Sequence, residues 1–86
     1  MHLEGLKKRI EEFDKKAGWD KTEISQLIEF MQEELNHLKS NSQNKERVNH
    51  LLTDLLMLIL QAGYKYDTNF NSEIESWFRE AQKSIE

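Results

Sequence analysis

Residues 49–60, with the sequence NHLLTDLLMLIL, are the stretch that decides the fold of this chain. Among its last ten residues only Thr53 and Asp54 are polar, so almost every face of a helix built from this segment is apolar. The pattern predicts a buried central helix over about residues 44–62, with Gly63 as part of its stop signal. We expect the other elements to pack around this helix.

Asp54 is the residue of this segment that most needs a partner. An ionised carboxylate in an apolar helix costs free energy unless a cation or a hydrogen-bond donor compensates it. The acid and the polar flanks of the segment also argue against a membrane-spanning helix. We therefore expect a cation, a donor or a metal ion beside Asp54, and we look for function there.

Length and composition limit what the chain can be. Its 86 residues predict a single domain over residues 1–86, and so short a chain buries a modest core, which favours a homodimer or a dimer of dimers. Cysteine is absent, which excludes disulfides and thiolate chemistry, and the charged start of the chain is not a signal peptide, so we expect a cytoplasmic protein. A formal net charge of −4 disfavours nucleic acid and a membrane as partners.

The rest of the chain reads as three further helices. Proline is absent, apolar residues recur at a spacing of three and four, and the pattern predicts helices at about 2–17, 21–39, 44–62 and 69–85. The side chains expected to face the core are Leu3, Leu6, Ile10, Phe13 and Ala17; Ile24, Leu27, Ile28, Met31, Leu35 and Leu38; Val48, Leu52, Leu55 and Ile59; and Phe70, Ile74, Trp77, Phe78, Ala81 and Ile85. The fold class is all-α, a four-helix bundle completed by homodimerisation.

Local signals refine this bundle. Gly18 should end the first helix, and Asp20 can cap the second, with Glu23 reaching back in the manner of a capping box. Met57 and Leu60 lie away from the predicted core stripe of the central helix. These two side chains are therefore the predicted subunit contact.

A group of polar residues on the two middle helices suggests chemistry. Glu34 and His37 are one helical turn apart, as are His50 and Asp54, and Glu33 lies next to the first pair. Because a short loop joins these helices, we expect them to be antiparallel neighbours whose polar flanks meet. Carboxylate oxygens suit Mg²⁺, while imidazole moves the preference towards Mn²⁺, Zn²⁺ or Fe²⁺.

The same residues have plainer interpretations. Glu33 and Glu34 can form a solvated helix face, and His50 can pair with Asp54 without any metal. In a third interpretation, Glu34 and His37 form one Glu-x-x-His half of a di-iron site that a second copy completes.

The two polar segments resemble the signature of a known family. Residues 33–37 (EELNH), a spacer, and residues 51–56 (LLTDLL) resemble the EExxE and ExxD motifs of the MazG-like all-α nucleoside triphosphate pyrophosphohydrolases. The Gly18-Trp19 pair before the second helix and Gly63 near the end of the third are also similar to that family. The resemblance covers nearly the whole chain.

The resemblance implies a fold, a cofactor and a reaction. In this family the motif acids bind Mg²⁺, and water cleaves a nucleoside triphosphate between its α and β phosphates. We therefore expect Mg²⁺ as the cofactor of this chain, with Mn²⁺ as the second choice. By position, the resemblance assigns Glu33, Glu34 and Asp54 to catalysis, and Glu34, His37 and Asp54 to the metal. Two positions depart from the motifs: His37 and Leu51 stand where glutamates are expected. The chain then fits either a member with altered metal use or one that keeps the fold and has lost efficient hydrolysis.

Substrate contacts follow from the resemblance more loosely. It implies basic groups in or before the last helix, for which Lys65, Arg79 and Lys83 are the candidates. Trp19 is placed to cover a nucleobase if the pocket opens towards the start of the second helix. A shifted second motif beginning at Glu46 is a weaker alternative. The expected function is MazG-like nucleotide binding, with hydrolysis to the monophosphate and pyrophosphate. The alternative is a catalytically inactive helical dimer that acts as an interaction or scaffold module.

Overall fold

Four helices with short connections make up the computed structural model of this chain, which describes residues 2–85. They are α1 (Leu3–Ala17), α2 (Ile24–Ser40), α3 (Lys45–Lys65) and α4 (Phe70–Ile85). No strand occurs within the described residues. The prediction of an all-α chain with four helices is therefore confirmed.

The connection between α1 and α2 differs from the prediction. Gly18 ends α1 as expected, with a left-handed φ of 79°. Glu23, and not Asp20, occupies the N-cap position of α2, and no side chain caps this helix. The predicted capping box is wrong because Asp20 lies in a turn that the Thr22 N–H closes by donating to the carbonyl of Trp19 at 3.1 Å.

Gly63 does not end the third helix. The helix continues to Lys65, and Gly63 is buried where α4 begins, so that a Cβ atom at this position would overlap the ring of Phe70. The glycine permits a close approach between the end of α3 and the start of α4. The sequence predicts that this glycine helps to end the helix, whereas in the structure it allows Phe70 to pack closely against α3.

Helix α3 lies in the core and packs along both α2 and α1. Its buried leucines are Leu51 and Leu60, and α2 and α1 contribute the buried side chains of Leu27 and Ile10. Leu51 and Leu60 are nine residues apart, which places them about 180° from each other around a helix. Leu60 is only 1% exposed within its own chain, so its predicted role as a subunit contact is wrong.

Several predicted core residues are exposed instead. Leu52 and Ile59, the predicted inner stripe of α3, are 50% and 44% exposed, and Leu35 of α2 is also exposed. On α1, Phe13 was predicted to face the core but is exposed, and the next residue, Asp14, is buried instead. Helices that are apolar over most of their circumference do not reveal from periodicity which side faces inward.

Helix α4 is attached mainly at its first residue. Glu4 accepts a hydrogen bond from the backbone N–H of Phe70 at 2.6 Å and pairs with Lys7 at 2.8 Å, and Lys7 also donates to the carbonyl of Thr68 at 2.5 Å. The hydrogen bond from Lys7 lowers the pKa of the Glu4 carboxyl below its usual value. Beyond this attachment the apolar face of α4 is largely uncovered, and Trp77 is 65% exposed.

The dimensions of the chain agree with these uncovered faces. Its radius of gyration is 14.9 Å, whereas about 12 Å is expected for a compact domain of this length. Its accessible surface is 6872 Å², whereas a folded monomer of this mass exposes about 5,400 Å². The chain thus exposes about 1,500 Å² more than a monomer of its size usually does.

No helix within residues 2–85 has the length and apolar character needed to cross a membrane.

Gly63 and Gly5 make a matched pair of substitutions. Gly63→Ala should lower the free energy of unfolding by about 1–3 kcal/mol, because the new methyl group meets the Phe70 ring. Gly5→Ala should raise it by up to about 1 kcal/mol, because a Cβ atom there has open space and alanine favours the helix. Urea denaturation measures both. Equal stabilisation by the two substitutions would contradict the packing of Phe70 on Gly63.

Candidate functional site

A buried carboxylate joins α1 to α3. Asp14 is 1% exposed and accepts hydrogen bonds from the Tyr64 hydroxyl at 2.6 Å and from Gln61 Nε2 at 3.1 and 3.2 Å. The sequence analysis did not single out Asp14. The available signal was its spacing of four residues from Ile10, which places it on the buried face of α1.

The hydrogen bonds of Asp14 fix the orientation of both donors. Burial raises the pKa of the Tyr64 hydroxyl, and the hydrogen bond to Asp14 and its charge raise it further, so the phenol keeps its proton and donates. A carboxylate only accepts hydrogen bonds, so the amide nitrogen of Gln61 must face Asp14. The amide oxygen of Gln61 is therefore directed away from the acid.

The first of two adjoining cavities, the aromatic cavity, has a volume of about 410 Å³. Its lining residues are Trp19, Thr22, Gln26, Leu27, Phe30 and Gln61. This volume lies in the usual range for small-molecule sites, and the lining combines two aromatic rings with a few polar groups. Trp19, predicted to cover a nucleobase, lines this cavity and packs edge to face on Phe13 with ring centroids 5.5 Å apart.

The second, the acidic cavity, has a volume of about 290 Å³. It is lined by Glu33, Glu34 and Asp54 together with Phe30, Met57, Leu58 and Gln61. The structure thus brings the three predicted catalytic acids around one space, from two antiparallel helices. Because Phe30 and Gln61 line both cavities, the acidic and aromatic cavities share a wall.

Glu34, which lines the acidic cavity, carries a buried carboxylate oxygen. Its Oε2 is buried and has no hydrogen-bond partner in the described part of the chain. Buried polar atoms are nearly always paired, so an unpaired carboxylate oxygen beside a cavity calls for a cation or a donor. Mg²⁺ typically binds one or two carboxylates and completes its shell with water and substrate phosphates, and Glu34 with Asp54 fits that donor set.

Asp54 is less buried than the sequence suggested. Its side chain is 42% exposed, and Oδ2 lies 3.6 Å from Nε2 of His50, which is 68% exposed. The expectation of a deeply buried acid is therefore wrong, because this flank of α3 borders the cavity and not the core. A contact this open and this long contributes little stability, which leaves Asp54 available to a ligand.

His37 does not join the two acids. It is exposed, does not line the acidic cavity, and uses its backbone carbonyl to accept a hydrogen bond from the Asn41 side chain. Among residues 2–85, no three His, Asp or Glu side chains are grouped closely enough to hold a metal ion by themselves. The predicted set of Glu34, His37 and Asp54 is therefore not assembled in this chain.

The predicted basic contacts also lie outside both cavities. Lys65 donates from Nζ to the carbonyl of Asp20 at 2.5 Å and lies 5.4 Å from the centre of the Tyr64 ring. Arg79 and Lys83 line a shallow groove on α4 that contains none of the cavity acids. Within one chain, none of these cations is brought to the acidic cavity.

Leu51 stands where the resemblance to the family motif expects a glutamate. It is 2% exposed and belongs to the core. An unpaired carboxylate at this position would be buried without compensation. The position therefore serves packing.

Comparisons of the chain with protein-family models, with curated proteins and with solved structures found no match. The chemistry of the two cavities is therefore the basis for assigning a function.

Proposed function

We propose that this chain is a MazG-like protein that binds a nucleoside triphosphate with a divalent cation across the two cavities and hydrolyses it to the monophosphate and pyrophosphate. The observation that carries the proposal is the buried, unpaired Oε2 of Glu34, a residue that lines one cavity together with Asp54. The adjoining aromatic cavity supplies a site for the base.

The aromatic cavity has the chemistry of a nucleobase site. Trp19 and Phe30 offer ring faces and edges on which a planar heterocycle can stack. Thr22 and Gln26 add a hydroxyl and an amide that can bind polar ring edges. The sugar and phosphates of a nucleotide whose base lies in this cavity would then extend past the shared wall into the acidic cavity.

The acidic cavity suits phosphates only when a cation accompanies them. The chain carries a net charge of −4, and three carboxylates line this cavity, so a bare triphosphate is repelled. Glu34 and Asp54 would hold Mg²⁺, or Mn²⁺ as the second choice, and its remaining positions would go to phosphate oxygens and water. When bound, the cation neutralises phosphate charge.

The reaction is a displacement at the α phosphorus. The oxygen of a water molecule forms a bond to this atom while the bond to the oxygen bridging towards the β phosphate breaks, and pyrophosphate leaves with that oxygen. Glu33, which is exposed at the cavity, accepts the proton of the water and passes it to solvent. We expect the reaction to take place in the cytoplasm, with neither nucleic acid nor a membrane as a partner.

Glu34 and Glu29 form a matched pair for testing this function. The unaltered protein should release pyrophosphate from at least one member of a panel of canonical and modified triphosphates in Mg²⁺ or Mn²⁺. Glu34→Gln should lower the rate by about 100-fold, the order expected when one charge-stabilising group is lost. Glu29→Gln, an exposed acid of α2 that lines neither cavity, should leave it unchanged. No pyrophosphate from any triphosphate, together with no metal-dependent shift in melting temperature, would contradict the proposal.

The proposed assembly is a homodimer formed by the uncovered flank of α2 and α3. At about 100° per residue, Ile28 and Leu35 lie on the opposite flank of α2 from Glu33. Leu52 and Ile59 lie on the corresponding flank of α3, on the same side of the helix pair. This side is exposed and apolar, and it is opposite the acidic cavity.

The excess surface is large enough for a stable dimer. Interfaces between stable partners bury about 800 Å² per partner or more, and this chain exposes about 1,500 Å² beyond the usual value. Monomers rarely leave large apolar patches open to water, and this flank carries the exposed side chains of Ile28, Leu35, Leu52 and Ile59. The apolar face of α4 is a second uncovered surface, which would allow a dimer of dimers.

Leu52 and Thr53 provide a test of the dimer. Leu52→Asp should convert the dimer into a monomer, because it places a charge in the apolar contact. Thr53→Asp adds the same charge at an adjacent exposed residue on another side of α3 and should leave the dimer intact. Sedimentation equilibrium measures the mass of each. A monomeric unaltered protein, or a Leu52→Asp protein that keeps its mass, would contradict the proposed interface.

A second candidate function is an inactive helical dimer that acts as an interaction module. The observation in its favour is Leu51, whose burial leaves the second motif without its glutamate. For this candidate we expect the dimer without pyrophosphate release, so the two assays together separate the functions.

A further inference from the structure

We infer that Gln61 accepts a hydrogen bond from a sugar hydroxyl of the bound nucleotide, and that Asp14 positions its amide to do so. This inference rests on the proposed function and adds a specificity-determining contact to it. The contact requires that the ligand carry a hydroxyl group between its base and its phosphates, to donate the hydrogen bond.

Gln61 lies at the place where the sugar must pass. It lines both the aromatic and the acidic cavity, and Phe30 is the other residue that does so. A nucleotide whose base occupies the first cavity and whose phosphates occupy the second has its sugar at the shared wall. Phe30 offers only a ring there, so Gln61 is the polar group that the sugar meets.

The amide of Gln61 is held in one orientation. Its Nε2 lies 3.1 and 3.2 Å from the two oxygens of Asp14, which is 1% exposed and accepts a further hydrogen bond from Tyr64 at 2.6 Å. The reversed amide would set the oxygen of Gln61 against a buried carboxylate, which is repulsive. Among the described residues no donor binds Oε1 of Gln61, so this oxygen is open to a ligand.

An acceptor held in this way selects for a donor. A sugar hydroxyl can donate to Oε1, whereas a hydrogen atom in its place leaves the oxygen unpaired at the cavity wall. The other polar groups of the aromatic cavity, Thr22 and Gln26, line that cavity alone and do not reach the shared wall.

The direct test compares ligands on a protein with a single reporter. Trp77 is exposed on α4, so the Trp77→Phe protein keeps Trp19 as its one tryptophan, at the rim of the aromatic cavity. Quenching of Trp19, read before turnover, gives the affinity for each of the four ribonucleoside triphosphates and its 2′,3′-dideoxy counterpart in Mg²⁺. The dideoxy compound should bind about tenfold more weakly, as expected for one lost hydrogen bond at a partly buried group. The 2′-deoxy and 3′-deoxy compounds then identify which hydroxyl donates.

Two variants separate Gln61 from the rest of the cavity. The Gln61→Leu protein should bind the ribose and dideoxy compounds with equal affinity. The Gln26→Leu protein should bind both compounds more weakly and keep the ratio between the two affinities. Asp14→Asn should also reduce the ratio of the two affinities without lowering the affinity for the dideoxy compound. The single amide oxygen of the asparagine would have to accept from both Tyr64 and Gln61, so it would no longer fix the orientation of Gln61. A purely structural role of Asp14 would weaken both compounds together.

The outcomes distinguish this inference from the function on which it rests. Equal affinities for the ribose and dideoxy compounds on the Trp77→Phe protein overturn the role of Gln61 and leave nucleotide binding in place. A ratio that persists in Gln61→Leu overturns it as well. No quenching by any nucleotide overturns both the role of Gln61 and the proposed function. The ligand comparison needs no change at Asp14 or Gln61, so it decides the matter even if those variants fail to fold.

Discussion

Asp14 carries a carboxylate into the junction between α1 and α3, where water is largely excluded from it. Leaving that group without partners would cost several times the value of an ordinary hydrogen bond, so the donors on α3 must be present and correctly placed. Tyr64 and Gln61 supply them, one helical turn apart. The interaction thereby sets the rotation of α3 against α1, and with it the position of the wall that both cavities share.

The rotation of α3 in turn decides what each of its sides does. Leu51 and Leu60 are buried on opposite sides of α3, which packs on both α1 and α2, and the two remaining flanks face different environments. One flank, with Asp54, borders the acidic cavity. The other, with Leu52, is apolar and exposed. Both the cavity and the uncovered surface therefore follow from a single central helix held between two neighbours.

The sequence predicted the parts of this arrangement that depend on local chemistry. Apolar spacing and the absence of proline indicated four helices, and the resemblance of residues 33–37 and 51–56 to two family motifs pointed to Glu33, Glu34 and Asp54, which line one cavity. The orientation of α3 was not predictable, because a helix that is apolar on nearly all sides has no preferred inner face. Asp14 was missed because its partners are 47 and 50 residues away, beyond any local pattern.

In the proposed function, the Asp14 junction places two cavities side by side to receive one nucleotide and its cation. Isotope-edited NMR tests it most directly, by following the Trp19 indole N–H and the Gln61 side-chain amide while a triphosphate and Mg²⁺ are added together. If one nucleotide occupies both cavities, both signals shift along one saturation curve with a common Kd. The chemical shifts of α4 beyond its first turn then stay unchanged. Two different curves, or shifts confined to α4, would contradict it.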